Sequence, residues 1–140
     1  MKFISTKLIL LLFLGSLIFT SCNSTTTNGN DSSTNQKEII DLVKRFNDEG
    51  LKADTVETML YQFIGACSGY RVDVNGEPIE IYKYDLSDKG QKTIADEIEN
   101  SGIVTVGSFK NPALYSNGFV IISYESHPDR DKIKEILNNF

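Results

Sequence analysis

The stretch Tyr70-Arg71-Val72-Asp73-Val74-Asn75-Gly76-Glu77-Pro78-Ile79-Glu80-Ile81 decides the fold. Its central Asn-Gly is the pair that a type I′ turn needs, because both middle residues of that turn take positive φ. A two-residue loop also sets the register of its flanking strands. Val74 falls opposite Glu77, Val72 opposite Ile79 and Tyr70 opposite Ile81, while Arg71 meets Glu80 on the other side. One face of this hairpin predicts core and the other solvent.

A second pair, Asn117-Gly118, sets Ser116 against Phe119, Tyr115 against Val120, Leu114 against Ile121 and Ala113 against Ile122. Both faces of that hairpin are apolar, which predicts a central place in the sheet or cover on both sides. Ile103 to Phe109 reads as one further strand.

Helices are expected around these hairpins. Asn35 and Glu38 form a capping pair for a first helix with Ile39, Val43 and Phe46 on one face, Ile40 beside them and Gly50 at its end. Asp54 and Glu57 open a second, whose stripe runs through Val56, Met59, Leu60, Phe63, Ile64 and Cys67. Ser87 caps a third with Ile94, Ala95 and Ile98, stopping near Gly102. The last begins at His127-Pro128, with Asp129 and Asp131 in its first turn and Ile133, Ile136, Leu137 and Phe140 facing inward. The expected fold is α+β: a small, mainly antiparallel sheet of four to five strands, with two Asn-Gly hairpins, packed with about four helices.

The chain has 140 residues and a formal charge of −5, with two cysteines, three prolines and no tryptophan. That length holds one domain, and two cysteines exclude a disulfide scaffold. The N-terminus is of a different kind. Lys2 and Lys7 precede an apolar run from Leu8 to Phe19, then Thr20, Ser21 and Cys22. The run falls well short of the roughly 20 apolar residues that cross a bilayer, so residues 1–21 read as a cleavable signal peptide. Phe19-Thr20-Ser21-Cys22 is similar to a bacterial lipobox, with Phe19 where an aliphatic residue is usual, and this similarity implies a diacylglycerol thioether on Cys22. Two acyl chains hold stably where one holds marginally, at about 0.8 kcal/mol per buried CH₂.

Asn23 to Gln36, NSTTTNGNDSSTNQ, contains no aliphatic or aromatic side chain and reads with Cys22 as a polar tether over 22–36. Its r.m.s. reach is roughly 20 Å from a scaling of about 5–6 Å times the root of the residue number. A single α+β domain then fills 37–140. Losing the leader removes two lysines and no acid, so the remainder is more acidic still, which argues against nucleic acid and against polybasic attachment to anionic lipid.

Val74-Asn75-Gly76-Glu77-Pro78-Ile79-Glu80-Ile81-Tyr82-Lys83-Tyr84-Asp85, Asn117-Gly118-Phe119-Val120 and His127-Pro128-Asp129-Arg130-Asp131-Lys132-Ile133 together resemble small lipoproteins of Gram-positive bacteria. The resemblance spans most of 37–140. It implies a secreted α+β domain tethered to the outer face of the cytoplasmic membrane, and it carries over no enzymatic activity.

Sites of chemistry are sparse. His127 is the only histidine, and with Glu125, Asp129 and Asp131 nearby it offers mixed nitrogen and oxygen ligands, although zinc sites usually need three or four converging ligands. Cys67 extends an apolar stripe and reads as a core thiol rather than a nucleophile, having no base near it in sequence. Glu77 with Glu80, and Asp85 with Asp88, sit where acids cap turns and helices. Tyr82 and Tyr84 share the face opposite Ile79 and Ile81, either as a binding patch or packed beneath helices.

The expectation is a lipid-anchored, extracytoplasmic, non-enzymatic binding module with no cofactor beyond the lipid on Cys22. Its partners would be the membrane, through that anchor, and a protein or the cell wall. The alternative is a small-ligand or metal-ion-binding envelope protein using the acidic cluster near His127.

Overall fold

The computed structural model describes residues 31–140. The signal peptide expected at 1–21, Cys22 and the expected tether as far as residue 30 lie outside the described residues. The elements are α1 (Asp31–Asp48), β1 (Ala53–Thr58), a 3₁₀ turn (Tyr61–Ile64), β2 (Ser68–Val74), β3 (Glu77–Lys83), α2 (Lys89–Ser101), β4 (Ile103–Val106), β5 (Phe109–Pro112), β6 (Leu114–Ser116), β7 (Phe119–Ile122) and α3 (Arg130–Asn138). Five strands form one sheet in the order β1-β2-β3-β7-β6, antiparallel at every pairing. β4 and β5 pair separately as a two-stranded sheet. The fold is α+β, with three α-helices among the described residues.

Both hairpins adopt the register that their turns dictate. Val72 pairs with Ile79, Tyr70 with Ile81 and Arg71 with Glu80, and Leu114 pairs with Ile121 and Tyr115 with Val120. Asn75 and Asn117 take φ of 53° and 50°, the left-handed values that the turn requires. The second hairpin is split in its placement, because β7 is central between β3 and β6 while β6 is an edge.

The sheet separates two cores. On one face α1 and α3 cover Val72, Val74, Ile79, Ile81, Phe119 and Ile121 with Ile39, Leu42, Phe46, Ile133, Ile136 and Leu137. On the other, α2, the 3₁₀ turn and the β4–β5 hairpin cover Tyr82, Tyr84, Val120 and Ile122. At about 1.5–3 kcal/mol per buried large apolar side chain, this double burial is the main force ordering a chain of this size. Lys83 ends β3 beneath α1. Its ammonium lies 2.7 Å from the Glu38 carboxylate, donates to the Asn117 carbonyl at 3.1 Å and sits 4.0 Å from the Phe119 ring centre. That buried cation fastens α1 to the sheet.

The structure departs from the sequence reading in several places, among them the last helix, which begins at Arg130 after Asp129 as N-cap and leaves Phe140 41% exposed. No helix runs over Asp54–Cys67, because residues Ala53–Thr58 are strand β1 on the free edge of β2. Three of its six residues, Thr55, Val56 and Thr58, are β-branched and lose χ1 freedom in a helix, and the edge of β2 offers a ladder for their backbone groups. Asn47 of α1 then holds the strand's first residue, donating to the Ala53 carbonyl at 2.7 Å and accepting the Ala53 N–H at 3.0 Å. Ile103 to Phe109 is not one strand but β4 and the start of β5, broken by the turn at Gly107, whose φ is 62°.

Helix α1 covers Asp31–Asp48 of the described residues, so 31–36 of the expected tether are helical. Its neighbour Ile40 is 51% exposed, since the inward face runs through Ile39, Leu42, Val43 and Phe46. Helix α2 is capped by Asp88, whose carboxylate accepts the Gln91 N–H, while Ser87 is held by Asp85. Among the described residues no helix is long and apolar enough to cross a membrane.

Candidate functional site

Where the second cover layer ends, it leaves a groove of about 370 Å³ on the sheet. Met59, Leu60 and Phe63 form one wall, Val106 and Phe109 of the β4–β5 hairpin the other, and Tyr82 and Ile122 the floor. Three rim side chains are unusually bare for their size: Leu60 is 71%, Phe63 77% and Phe109 73% exposed. Scattered exposed apolar residues are ordinary, but three gathered around one concavity are not.

Local geometry explains how they are held out. After β1 the chain closes a single 3₁₀ turn, and Gly65 takes φ of 71° to end it. The Tyr84 hydroxyl, from a fully buried ring, donates to the Ile64 carbonyl at 2.8 Å and pins the turn to the sheet. Ile64 is therefore partly buried and Phe63 points to solvent. A 3₁₀ turn this short buries one side only, so its remaining apolar residues form the rim.

The floor depends on a cross-strand contact. Gly69 pairs with Tyr82, and a Cβ at Gly69 would lie 2.6 Å from the Tyr82 ring, so only glycine lets that ring settle against β2. The Tyr82 hydroxyl donates to the Glu80 carboxylate at 2.6 Å. Burial and that bond push the Tyr82 hydroxyl far above the ordinary phenol range.

The groove continues into a smaller hollow of about 200 Å³ bounded by Glu57, Met59, Arg71, Pro78, Glu80 and Ser123. Arg71 Nη1 reaches Glu57 at 3.4 Å, and its Nε is buried without a hydrogen-bond partner. Ser123, at the hollow's edge, has φ of 62°, a left-handed value that a serine rarely takes. Across Ile64 lies a larger cavity of about 580 Å³ floored by Tyr84, Ile98 and Val104 and rimmed by Glu97 and Lys110. None of the three bare side chains lines it.

The residues singled out in sequence are distributed differently. Tyr82 and Tyr84 are buried beneath the cover layer, not displayed as a patch. Cys67 lies on no helical stripe. It sits half-buried in the link before β2, where its thiol donates to the Lys83 carbonyl at 3.1 Å. Burial, with the Asp85 carboxylate adding, pushes this thiol up to about 11. His127 is buried, with Nδ1 accepting the Asp129 N–H and Nε2 bonded to the Val74 carbonyl. Asp129 in turn accepts from the Asn75 amide at 2.8 Å, and Asp131 and Glu125 are exposed. Among the described residues no group of three or more His, Cys, Asp or Glu is gathered as for a metal ion. Glu80 is the one acid of the pairs weighed in sequence that lines the groove.

Sequence reasoning missed the rim because Leu60 and Phe63 fitted a buried helical stripe. The signal that separates the two is the β-branched density of Thr55, Val56 and Thr58, which opposes a helix through the preceding residues. No protein-family model, curated protein or solved structure matches the chain.

Proposed function

We propose that this chain is a lipid-anchored, extracytoplasmic, non-enzymatic binding module that meets its partner through the groove between the 3₁₀ turn and the β4–β5 hairpin. The observation that carries the reading is the bare apolar rim of Leu60, Phe63 and Phe109 around one concavity. Contiguous exposed apolar surface of this kind costs solubility and is retained where a contact covers it. The anchoring half rests on the sequence, whose basic, apolar and small residues run in order up to Cys22. The location that follows is the outer face of the cytoplasmic membrane of a Gram-positive bacterium, with a protein or cell-wall partner.

Two measurements on the full chain test it. Expressed in a Gram-positive host, the native protein is expected to lose residues 1–21, gain a lipid-sized mass and enter the detergent phase, while Cys22→Ala does none of these. Release of both forms unmodified overturns the anchor. For the groove, an anilinonaphthalene sulfonate dye is expected to fluoresce with the Cys22→Ala protein and to lose that signal when Leu60, Phe63 and Phe109 are changed together to Ser. Unchanged fluorescence in the triple variant overturns the groove.

A further inference from the structure

We infer that the groove selects a cationic side chain flanked by apolar ones, so that its partner is an exposed lysine- or arginine-bearing peptide segment of another protein. This deepens the binding-module reading above and rests on it. The floor carries the carboxylate of Glu80, partly buried between an apolar wall and Tyr82. Its single hydrogen-bonding partner is the neutral Tyr82 hydroxyl, and among the described residues no cation lies within ion-pair distance of it.

Arg71 is opposite Glu80 in the β2–β3 ladder, yet its contact at 3.4 Å is to Glu57. Glu57, Glu80 and Arg71 together leave one negative charge in excess around the hollow, and Glu80 is the charged residue that the hollow shares with the groove. A half-buried carboxylate without a counter-ion is an incomplete pair, and low-dielectric surroundings strengthen whatever cation completes it. The rim rings of Phe63 and Phe109 reinforce the same preference, since aromatic faces attract ammonium and guanidinium groups. Their neighbours Leu60, Met59 and Val106 take the apolar flanks. An anionic partner would meet the carboxylate of Glu80 in the groove, which favours a basic segment over an acidic one.

The test uses the purified lipidated chain in phosphatidylcholine nanodiscs, with fluorescence anisotropy of two labelled pentapeptides: Ala-Phe-Lys-Leu-Ala and its counterpart with glutamate replacing lysine. The lysine peptide is expected to bind at least tenfold more tightly. Glu80→Gln, which keeps an oxygen for the Tyr82 hydroxyl, is expected to erase most of that preference, and Arg71→Gln to enlarge it. Equal binding of the two peptides, a preference unmoved in Glu80→Gln, or no binding of either overturns the cation selectivity. Phe63→Ser separates the two levels. If it abolishes binding while no lysine preference exists, the groove survives and the selectivity falls, whereas if it changes nothing both fall. Binding of the lysine peptide to empty nanodiscs alone identifies the lipid surface as its target and likewise overturns the proposal.

Discussion

The imidazole Nε2 of His127 donates to the carbonyl of Val74 at 3.0 Å, joining residues 53 apart in the chain. Nδ1 accepts the Asp129 N–H, so Nε2 carries the hydrogen, and the ring links the entry to α3 with the end of β2. One side chain thereby satisfies a buried carbonyl at the sheet's margin and a part-buried backbone donor at a helix start.

His127→Ala is expected to destabilise the protein by about 2–3 kcal/mol, combining an unsatisfied carbonyl with the void left by a buried ring. Urea denaturation of the two forms measures it. A loss within about 0.5 kcal/mol, as for an ordinary surface site, would show that His127 does not hold these elements together.

Alkali should weaken the fold through Cys67. Its thiol is raised from 9.0 to about 11 in the folded chain, mainly by burial. Between those two values the unfolded chain has lost its proton and the folded one has kept it, so stability falls as pH rises from about 9 towards 11. Tyr82 and Tyr84, both raised by burial, extend the decline above pH 10. Melting temperature followed from pH 7.5 to 10.5 should stay level and then drop above about 9, and Cys67→Ala should delay the onset. An identical profile in that variant removes the thiol from the explanation. The same burial predicts slow alkylation of Cys67 by iodoacetamide at pH 8 in the native protein and fast alkylation in urea.

The two Asn-Gly turns should respond unequally to the same change. Gly76 has φ of 89° with open space around it, whereas a Cβ at Gly118, at φ 79°, would lie 2.8 Å from the Tyr84 carbonyl oxygen. Gly76→Ala is expected to cost about 1–2 kcal/mol from the left-handed backbone alone. Gly118→Ala adds a clash against a backbone atom that is itself held in place, and should cost about 1–3 kcal/mol more. Equal losses in thermal or chemical denaturation would contradict the close approach.

Phe63→Ser and Phe109→Ser should leave stability within about 0.5 kcal/mol of the native chain, because both side chains are more than 70% exposed. Removing an exposed ring forfeits little burial. A destabilisation of 2 kcal/mol or more in either variant, read from urea midpoints, would assign these rings to packing and deprive the groove of its rim.

Much of the fold was legible where the deciding chemistry is local. Asn75-Gly76 and Asn117-Gly118 dictate positive φ, and from that alone the pairs Val72–Ile79 and Leu114–Ile121 follow. The end of α2 at Gly102 and the inward face of α3 through Ile133, Ile136 and Leu137 are equally local. Cys67 shows the opposite case, since its helical spacing was real in sequence and its surroundings were set by the Lys83 carbonyl, 16 residues away.

The sequence by itself determined the two hairpins, their registers, the last two helices and the apolar content that must be buried, because turn dihedrals, caps and periodicity act over a few residues. Tertiary structure alone decided that Ala53–Thr58 is a strand, that the β4–β5 hairpin stands apart from the main sheet, and that Leu60, Phe63 and Phe109 are left bare around Glu80. Those outcomes depend on a free edge at β2 and on which face each covering element can reach. Such competition is settled by long-range hydrogen bonding and packing, and no local propensity encodes it.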